Sequence, residues 1–202
     1  SLGFIDRFIV TAEAYSIPVT LVFNKSDLKE KELADYRNQM MRLYTEIGYE
    51  CILVSALSGE NVEGLKQKLI GKVNLFAGHS GVGKSTLINA LHEGIEIKTA
   101  EISETYQKGK HTTTFAQMYE MKDGGFIIDT PGLKEFGLFE ISKEELSHYF
   151  IEMLEVLPDC KFNNCMHIRE HKCAVKDAVE QKIIHPARYE SYLKMLEEDT
   201  WR

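Results

Sequence analysis

The sequence predicts an α/β fold: a sheet with helices on both faces, followed by a small α-helical module. Three observations predict it. Short apolar runs alternate with stretches of helical period along most of the chain. One strand–loop–helix junction reads Gly78-His79-Ser80-Gly81-Val82-Gly83-Lys84-Ser85, which fits the phosphate-loop pattern G-x-x-x-x-G-K-[ST]. Near the C-terminus, Cys160, Cys165, His167 and Cys173 crowd one short polar span.

In chain order, Leu2, Ile5, Phe8, Ile9, Ala12 and Tyr15 recur at helical spacing, and Pro18 ends that helix. Residues 19–23 are continuously apolar and β-branched, as in a buried parallel strand. Residues 31–47 read as a charged surface helix closed by Gly48. Residues 51–54 form a strand and 61–69 a short helix. Residues 72–77 read as a buried strand leading into the phosphate loop, and a helix begins after the loop at Thr86. Residues 93–114 are polar and predict a long mobile loop. Asp123-Gly124-Gly125 lies between two apolar segments, 115–121 and 126–129, a strong hairpin signal. Residues 133–142 read as loop and 143–157 as one helix stopped by Pro158. Residues 174–182 and 186–198 are two further helices.

The bulk numbers exclude several classes. With 202 residues, 44% hydrophobic and 27% charged, the chain has ordinary globular composition and can bury one domain and a smaller appendage. No apolar run approaches the ~20 residues of a membrane span, and no signal-peptide pattern is visible. This predicts a cytoplasmic protein without membrane partners. A net charge of −7 argues against nucleic-acid binding driven by bulk charge. Crowded cysteines without a secretory signal suggest metal before disulfide.

Four constellations carry chemistry. The phosphate loop turns backbone N–H groups of residues 78–83 toward phosphate oxygens, and the helix N-terminus beyond it adds positive potential. Lys84 is predicted to reach the β- and γ-phosphates, the Ser85 hydroxyl to ligate Mg²⁺, and Thr86 to open the helix against the nucleotide. Asp129-Thr130-Pro131-Gly132 follows a strand. Its carboxylate can hold Mg²⁺ through water, and the Gly132 N–H can meet a γ-phosphate. Read alone, this tetrapeptide is a common turn. Asn24-Lys25-Ser26-Asp27 ends another strand. The Asp27 carboxylate can accept from guanine N1–H and N2–H₂, which adenine cannot supply. Asn24 is assigned to the other edge of the purine and the Lys25 stem to the face of the ring. Ser55-Ala56-Leu57 adds backbone N–H groups for the guanine oxygen. Alone, either segment is a polar turn closing a strand. Cys160, Cys165, His167 and Cys173 offer three thiolates and one imidazole, a set suited to closed tetrahedral structural zinc. The bland alternative is a cluster of reduced core cysteines. His171 competes for the imidazole position, and Cys51 reads as a core thiol.

These motifs occur in an unusual order. N-K-S-D and S-A-L come before the phosphate loop, whereas Ras-like GTPases place them after D-x-x-G. The order resembles the circularly permuted P-loop GTPases. One family matches from Leu2-Gly3-Phe4-Ile5-Asp6-Arg7-Phe8 through G-H-S-G-V-G-K-S, G-K-H-T-T-T and D-T-P-G-L. It continues into the cysteine span and Arg188-Tyr189-x-Ser191-Tyr192. This is the family of small-subunit-dependent GTPases known as RsgA, YjeQ or EngC. The resemblance implies a circularly permuted GTPase domain over residues 1–142 and a helical zinc-binding domain over 143–202. It implies GTP hydrolysis with Mg²⁺, binding of GTP and GDP, and a partnership of a monomer with the small ribosomal subunit and its rRNA late in assembly. It places one structural zinc per chain on Cys160, Cys165, His167 and Cys173. It makes His111 the catalytic residue that orients water, since Leu133 stands where Ras-like enzymes carry Gln. It favours Thr113, among Thr112, Thr113 and Thr114, for closing on Mg²⁺. The competing reading is a nucleotide-gated rRNA-binding module whose hydrolysis is incidental. The family also carries an OB-fold ahead of the GTPase and a strand between the phosphate-loop strand and the N-K-S-D strand. Neither is found in this sequence, which is therefore expected to be part of a longer protein.

Overall fold

A computed structural model of the chain describes residues 2–92, 116–130 and 141–198. The expected long loop at 93–114, with His111 and the threonines, and the segment containing Gly132 and Leu133 lie outside the described residues.

Five strands and seven helices are described: α1 Leu2–Ala14, β1 Thr20–Phe23, α2 Lys31–Ile47, β2 Glu50–Leu53, α3 Val62–Leu69, β3 Val73–Phe76, α4 Lys84–Leu91, β4 Gln117–Glu120, β5 Phe126–Asp129, α5 Ile151–Leu154, α6 Ala174–Glu180 and α7 Pro186–Glu197. The described chain is therefore mixed α/β. It divides into two compact units. One comprises residues 21–42 and 51–134, the other 1–20, 43–50 and 135–202. These units cut across the 1–142 and 143–202 partition. The apolar face of α1 buries Ile9 and Val10, and α1 is in contact with α7, so the first helix shares the core of the C-terminal helices.

In the first unit the strands form two ladders. One pairs β1 with β2, and the other runs β3-β5-β4. Strand β3 is parallel to β5, with Phe76 opposite Asp129. Strands β4 and β5 form the expected antiparallel hairpin, with Glu120 opposite Phe126. Gly124 and Gly125 supply its left-handed turn at φ +91 and +93. The break between ladders falls between β3 and β1, where the resemblance sets another strand. The segments expected to be buried are not: β1 is only half-buried, and Val73 and Leu75 of β3 are exposed because they lie on the face of the three-stranded ladder that no described helix covers. The core lies on one face of the three-stranded ladder, where Ile127 and Phe76 meet Val62 and Leu65 of α3 and Leu87, Ile88 and Leu91 of α4. The other face presents Val73, Leu75 and Met118. Among the described residues, helices thus cover one face of this ladder and not both.

The second unit has its own core, in which Val10, Leu146, Phe150, Met153, Val175, Ile184, Tyr192 and Met195 are buried together. The single helix expected at 143–157 is instead broken into two 3₁₀ turns, Leu146–Tyr149 and Leu157–Asp159, on either side of α5. The break comes at Phe150, whose backbone is extended at φ −101 and ψ 99. That conformation aims a fully buried ring into the core, edge-on to Tyr192 at 5.6 Å between centroids. Tertiary packing overrides the helical period here. The start does carry the capping pattern Ser-x-x-Glu: Ser142 Oγ donates to the Glu145 carboxylate at 2.9 Å, and Glu145 N donates back to Ser142 Oγ at 3.3 Å.

A buried ion cluster joins α1 to α7 and α5. Arg188 Nη1 donates to Asp6 Oδ1 at 2.6 Å, and its Nε and Nη2 donate to the two oxygens of Glu152 at 2.6 and 3.1 Å. The Tyr44 hydroxyl donates to the same Asp6 oxygen at 2.7 Å. The guanidinium lies 4.6 Å from the Phe150 ring centroid. Arg188 and Asp6 are both fully buried. Burial by itself would lower the guanidinium pKa, but the Glu152 and Asp6 carboxylates hold it raised. Removing the cation would leave two carboxylates facing each other out of water. Arg188→Ala is therefore expected to lower unfolding free energy by about 3–5 kcal/mol, measured by chemical denaturation. A loss below about 1 kcal/mol, the value of an exposed pair, would show that the cluster does not hold this core.

Candidate functional site

The phosphate loop leaves the end of β3 and enters α4 at Lys84, two residues earlier than expected. Lys84 and Ser85 therefore occupy the first helical turn, followed by Thr86. Gly81 and Gly83 adopt φ +83 and +85, a conformation that costs other residues strain. His79, Ser80 and Val82 complete the loop between Gly78 and Gly83, and Val82 N donates to His79 O at 3.4 Å. At Gly83 a second constraint acts: a Cβ would stand 2.5 Å from Asn24 Nδ2.

Asn24 is the hinge of the site. Its Nδ2 donates to the carbonyls of Val82 at 3.1 Å and Gly83 at 3.4 Å. Its Oδ1 accepts from Lys25 N at 2.8 Å and from Ala56 N at 3.0 Å. The sequence assigns Asn24 to a purine edge; in the structure both ends of its amide are engaged by backbone. Lys25 Nζ donates to Gly81 O at 2.7 Å. Lys25 itself is left-handed at φ +67. Its carbonyl accepts from Arg37 Nη1 of α2 at 3.1 Å and from Leu28 N at 3.2 Å. Asp27 Oδ1 accepts from the Ser55 hydroxyl at 2.5 Å, while Ser55 Oγ accepts from Ser58 N at 3.0 Å. Ser26 Oγ donates to the Glu60 carboxylate, and Ser26 N to Val54 O at 3.0 Å. Arg37, Ser58 and Glu60 carry no motif, so nothing in the sequence marks them.

Asp129 ends β5 opposite Phe76, the last residue of β3, and so arrives beside the phosphate loop. Lys84 Nζ pairs with the Asp129 carboxylate and with Thr130 O. Thr130 Oγ1 donates to Phe76 O at 2.8 Å, which ties the residue after Asp129 to the end of β3. Asn24 and Lys25 thus reach the phosphate loop directly and Asp129 reaches its Lys84, while Ala56 is tied to Asn24 and Ser55 to Asp27; Ser85 and Thr86 follow in the first turn of α4. His111, Thr113 and Gly132 lie outside the described residues.

The second candidate site is in the other unit. Cys160, Cys165, His167 and Cys173 bring four donor atoms within 4.8 Å of one another. His167 Nδ1 lies 3.3 Å from Cys173 Sγ and 3.7 Å from Cys160 Sγ. His171 is exposed and stands apart from the group, so His167 fills the imidazole position. Cys51 sits in β2. Burial raises the Cys165 thiol, pushes Cys173 up to about 12 and lowers the imidazolium of His167. The imidazole therefore offers a lone pair at neutral pH, while a metal must displace thiol protons. Tetrahedral zinc with bonds of about 2.3 Å to sulfur sets its donors roughly 3.8 Å apart, so the four atoms need close only slightly. A cavity of about 280 Å³ is lined by Cys160, Cys165 and His167 together with Glu145, His148 and Asn163.

The sequence model of the RsgA GTPase family matches residues 1–139. The chain belongs to this family. It is 52% identical over 198 residues to the small ribosomal subunit biogenesis GTPase RsgA of Bacteroides fragilis, covering 98% of this chain and 64% of that protein. It is 53% identical over 197 residues to the protein of the same name in Flavobacterium psychrophilum, covering 98% and 60%. The crystal structure of YjeQ from Thermotoga maritima superposes with a TM-score of 0.81 at 37% identity, over 97% of this chain and 65% of that one. YloQ, a circularly permuted GTPase, gives 0.74 at 28% identity, over 97% and 62%. The chain thus spans just under two thirds of the relatives it matches. Its fold is that of the circularly permuted GTPases.

Gly83→Ala tests the close approach at the hinge. A methyl group at left-handed φ, forced onto Asn24 Nδ2, is expected to cost roughly 1–3 kcal/mol and to raise amide exchange at residues 24–27. Exchange there matching the parent would mean that Asn24 does not depend on the space Gly83 leaves.

Proposed function

We propose that the chain binds guanine nucleotide and hydrolyses GTP, in the service of small ribosomal subunit assembly. The single observation that carries the nucleotide reading is the convergence on one phosphate loop: Asn24 and Lys25 from one side, Asp129 from the other. The names of the relatives support the ribosomal part, since each is a small ribosomal subunit biogenesis GTPase. In this reading Asp27, aligned by Ser55, reads the guanine N1–H and N2–H₂. The loop N–H groups of residues 78–83 hold phosphate oxygens, and the Ala56 region meets the guanine carbonyl. Lys84 exchanges Asp129 and Thr130 O for the β- and γ-phosphates, which frees Asp129 to orient water around Mg²⁺.

Ser85, Asp129 and Thr113 are the residues that would hold Mg²⁺. Ser85 and Asp129 fit as hard oxygen donors near a locus whose positive charge is at present Lys84; Thr113 is included on the family resemblance alone. When bound, Mg²⁺ supplies neutralisation of phosphate charge. His111 is proposed to orient the attacking water, an imidazole being suited to this at neutral pH, because Leu133 cannot hydrogen-bond it. The described residues contain no helix long and apolar enough to cross a membrane. A cytoplasmic setting among ribosomal subunits and their rRNA accords with this reading, and so does action as a monomer. The burial of His167 and Cys173, with a donor set of three thiols and one imidazole, supports structural zinc. We further propose that the zinc-binding helical part begins near residue 143, though it shares its core with α1.

Two measurements test this. The parent chain is expected to bind GTP and GDP and to ignore ATP. Asp27→Asn is expected to lose GTP affinity and gain xanthosine nucleotides, whose extra carbonyl meets an amide. Equal binding of ATP and GTP by the parent would refute the assignment. Protein purified without chelator should hold one zinc per chain. Cys173→Ser should lose it and keep GDP affinity, since the cluster and the phosphate loop belong to different compact units. Metal well below one equivalent in the parent would refute the zinc reading.

A further inference from the structure

The cluster's loop, residues 160–173, is held in shape by side chains that donate nothing to a metal. Glu170 is the centre of that support. Its Oε1 accepts from Met166 N at 2.8 Å, and its Oε2 accepts from Ile168 N at 2.8 Å and Arg169 N at 2.9 Å. One carboxylate thereby gathers three backbone N–H groups around His167. Its own carbonyl accepts from Lys176 Nζ of α6 at 3.1 Å. From the other side, two hydroxyls of α7 bind consecutive carbonyls of the same loop. Tyr192 donates to Met166 O at 2.9 Å and Tyr189 to His167 O at 2.5 Å. His167 is held at φ +56, a conformation that a β-carbon disfavours and that persists only when its surroundings over-determine it.

The imidazole gives a second reason for this bracing. A metal-bound histidine ordinarily has its ring fixed by a hydrogen bond from its other nitrogen. His167 turns Nδ1 toward the sulfurs, and its Nε2 is buried with no hydrogen-bond partner among the described residues. Ring orientation must then come from the backbone that carries it. That backbone is fixed at residue 166 by Tyr192, at residue 167 by Tyr189, and on both flanks of 167 by Glu170.

We propose that Glu170, Tyr189 and Tyr192 are positioning residues that preform the metal loop, so that a metal enters a cage already shaped by α7 and an internal carboxylate. This rests on the zinc reading of the cluster. It adds that tight binding depends on three residues outside the ligand set. It also adds that the core around α7 persists when metal is removed, since the Arg188 cluster and most of the buried side chains there, Phe150, Met153, Ile184, Tyr192 and Met195 among them, are not thiols.

The test compares the parent chain with Glu170→Gln and with the double variant Tyr189→Phe, Tyr192→Phe. Gln turns one acceptor into a donor facing a backbone N–H; Phe keeps the ring and removes only the hydroxyl. Zinc affinity is measured by competition with a chromogenic chelator, and cobalt(II) is bound separately so that its visible bands report tetrahedral geometry. Both variants are expected to lose ~10–100-fold in zinc affinity, the usual effect of removing support behind a ligand, and to show altered cobalt bands. Their far-UV circular dichroism should match the parent. Parent protein treated with chelator should keep its helical signal. Unchanged zinc affinity and cobalt spectra in both variants would overturn the proposal, as would loss of the helical signal on chelation. A variant that loses its helical signal outright would show Glu170 or the tyrosines to hold the fold itself, and would equally overturn it. A parent chain without zinc would instead refute the zinc reading, a separately visible failure.

Discussion

One carboxamide ties together the loops of the unit that carries the phosphate-loop motif. Asn24 spans three segments that are far apart in sequence. It donates to the phosphate loop at Val82 and Gly83 and accepts from its own turn at Lys25 and from Ala56 across the neighbouring strand. The geometry demands a short planar group with donors at one end and an acceptor at the other. Aspartate would set a second carboxylate oxygen against two carbonyls. Glycine at position 83 is required because any side chain there would occupy the space of the amide. Backbone freedom at one motif and side-chain chemistry at another are thus a single constraint. The turn proposed to read the base cannot move without disturbing the loop proposed to hold the phosphates.

Much of this was legible in the residues, and the reasons are local. The phosphate loop announces itself because its glycines are needed for backbone conformation, the hairpin because two adjacent glycines permit a left-handed turn. The bounds of α2 follow from charge pattern and Gly48, and the three clustered cysteines from their crowding, whereas the choice of His167 over His171 comes from the family resemblance. What was not legible depends on partners distant in sequence. Periodicity makes 143–157 one helix, but the demand of Phe150 for the core breaks it. Apolarity makes β1 and β3 buried strands, but burial needs a layer against each face, and the face of β3 that carries Val73 and Leu75 has none among the described residues. Nothing in the order of residues says that α1 belongs with α7. The Asp6–Arg188 pair that joins them is separated by nearly the whole chain. The supporting residues Arg37 and Glu170 act through backbone groups and Glu60 through the Ser26 hydroxyl, and such contacts leave no motif.

The division into two compact units separates two kinds of chemistry. The phosphate loop and its partners draw on a core of α3, α4 and β5. The cysteine–histidine cluster draws on α7, α6 and the broken helical segment, with Cys165 and Cys173 themselves among the buried residues of that core. Each site is built where a rigid element meets a loop: helix α4 at the phosphate loop, helix α7 at the metal loop. In both, a left-handed residue other than glycine, Lys25 in one and His167 in the other, is held by hydrogen bonds to its own carbonyl from a neighbouring helix. The two sites share a method of construction: backbone conformations that are costly by themselves are fixed from outside, and the functional side chain is thereby aimed.

The central claim is that Asn24 physically couples the base-reading turn to the phosphate loop, and amide hydrogen exchange on the Asn24→Ala chain tests it most directly. The account predicts faster exchange at three places together, the turn at 24–27, the segment 55–58 and the loop 78–83, with global stability in denaturant reduced far less than local protection. Faster exchange confined to residues 24–27, with the phosphate loop protected as in the parent, would contradict it.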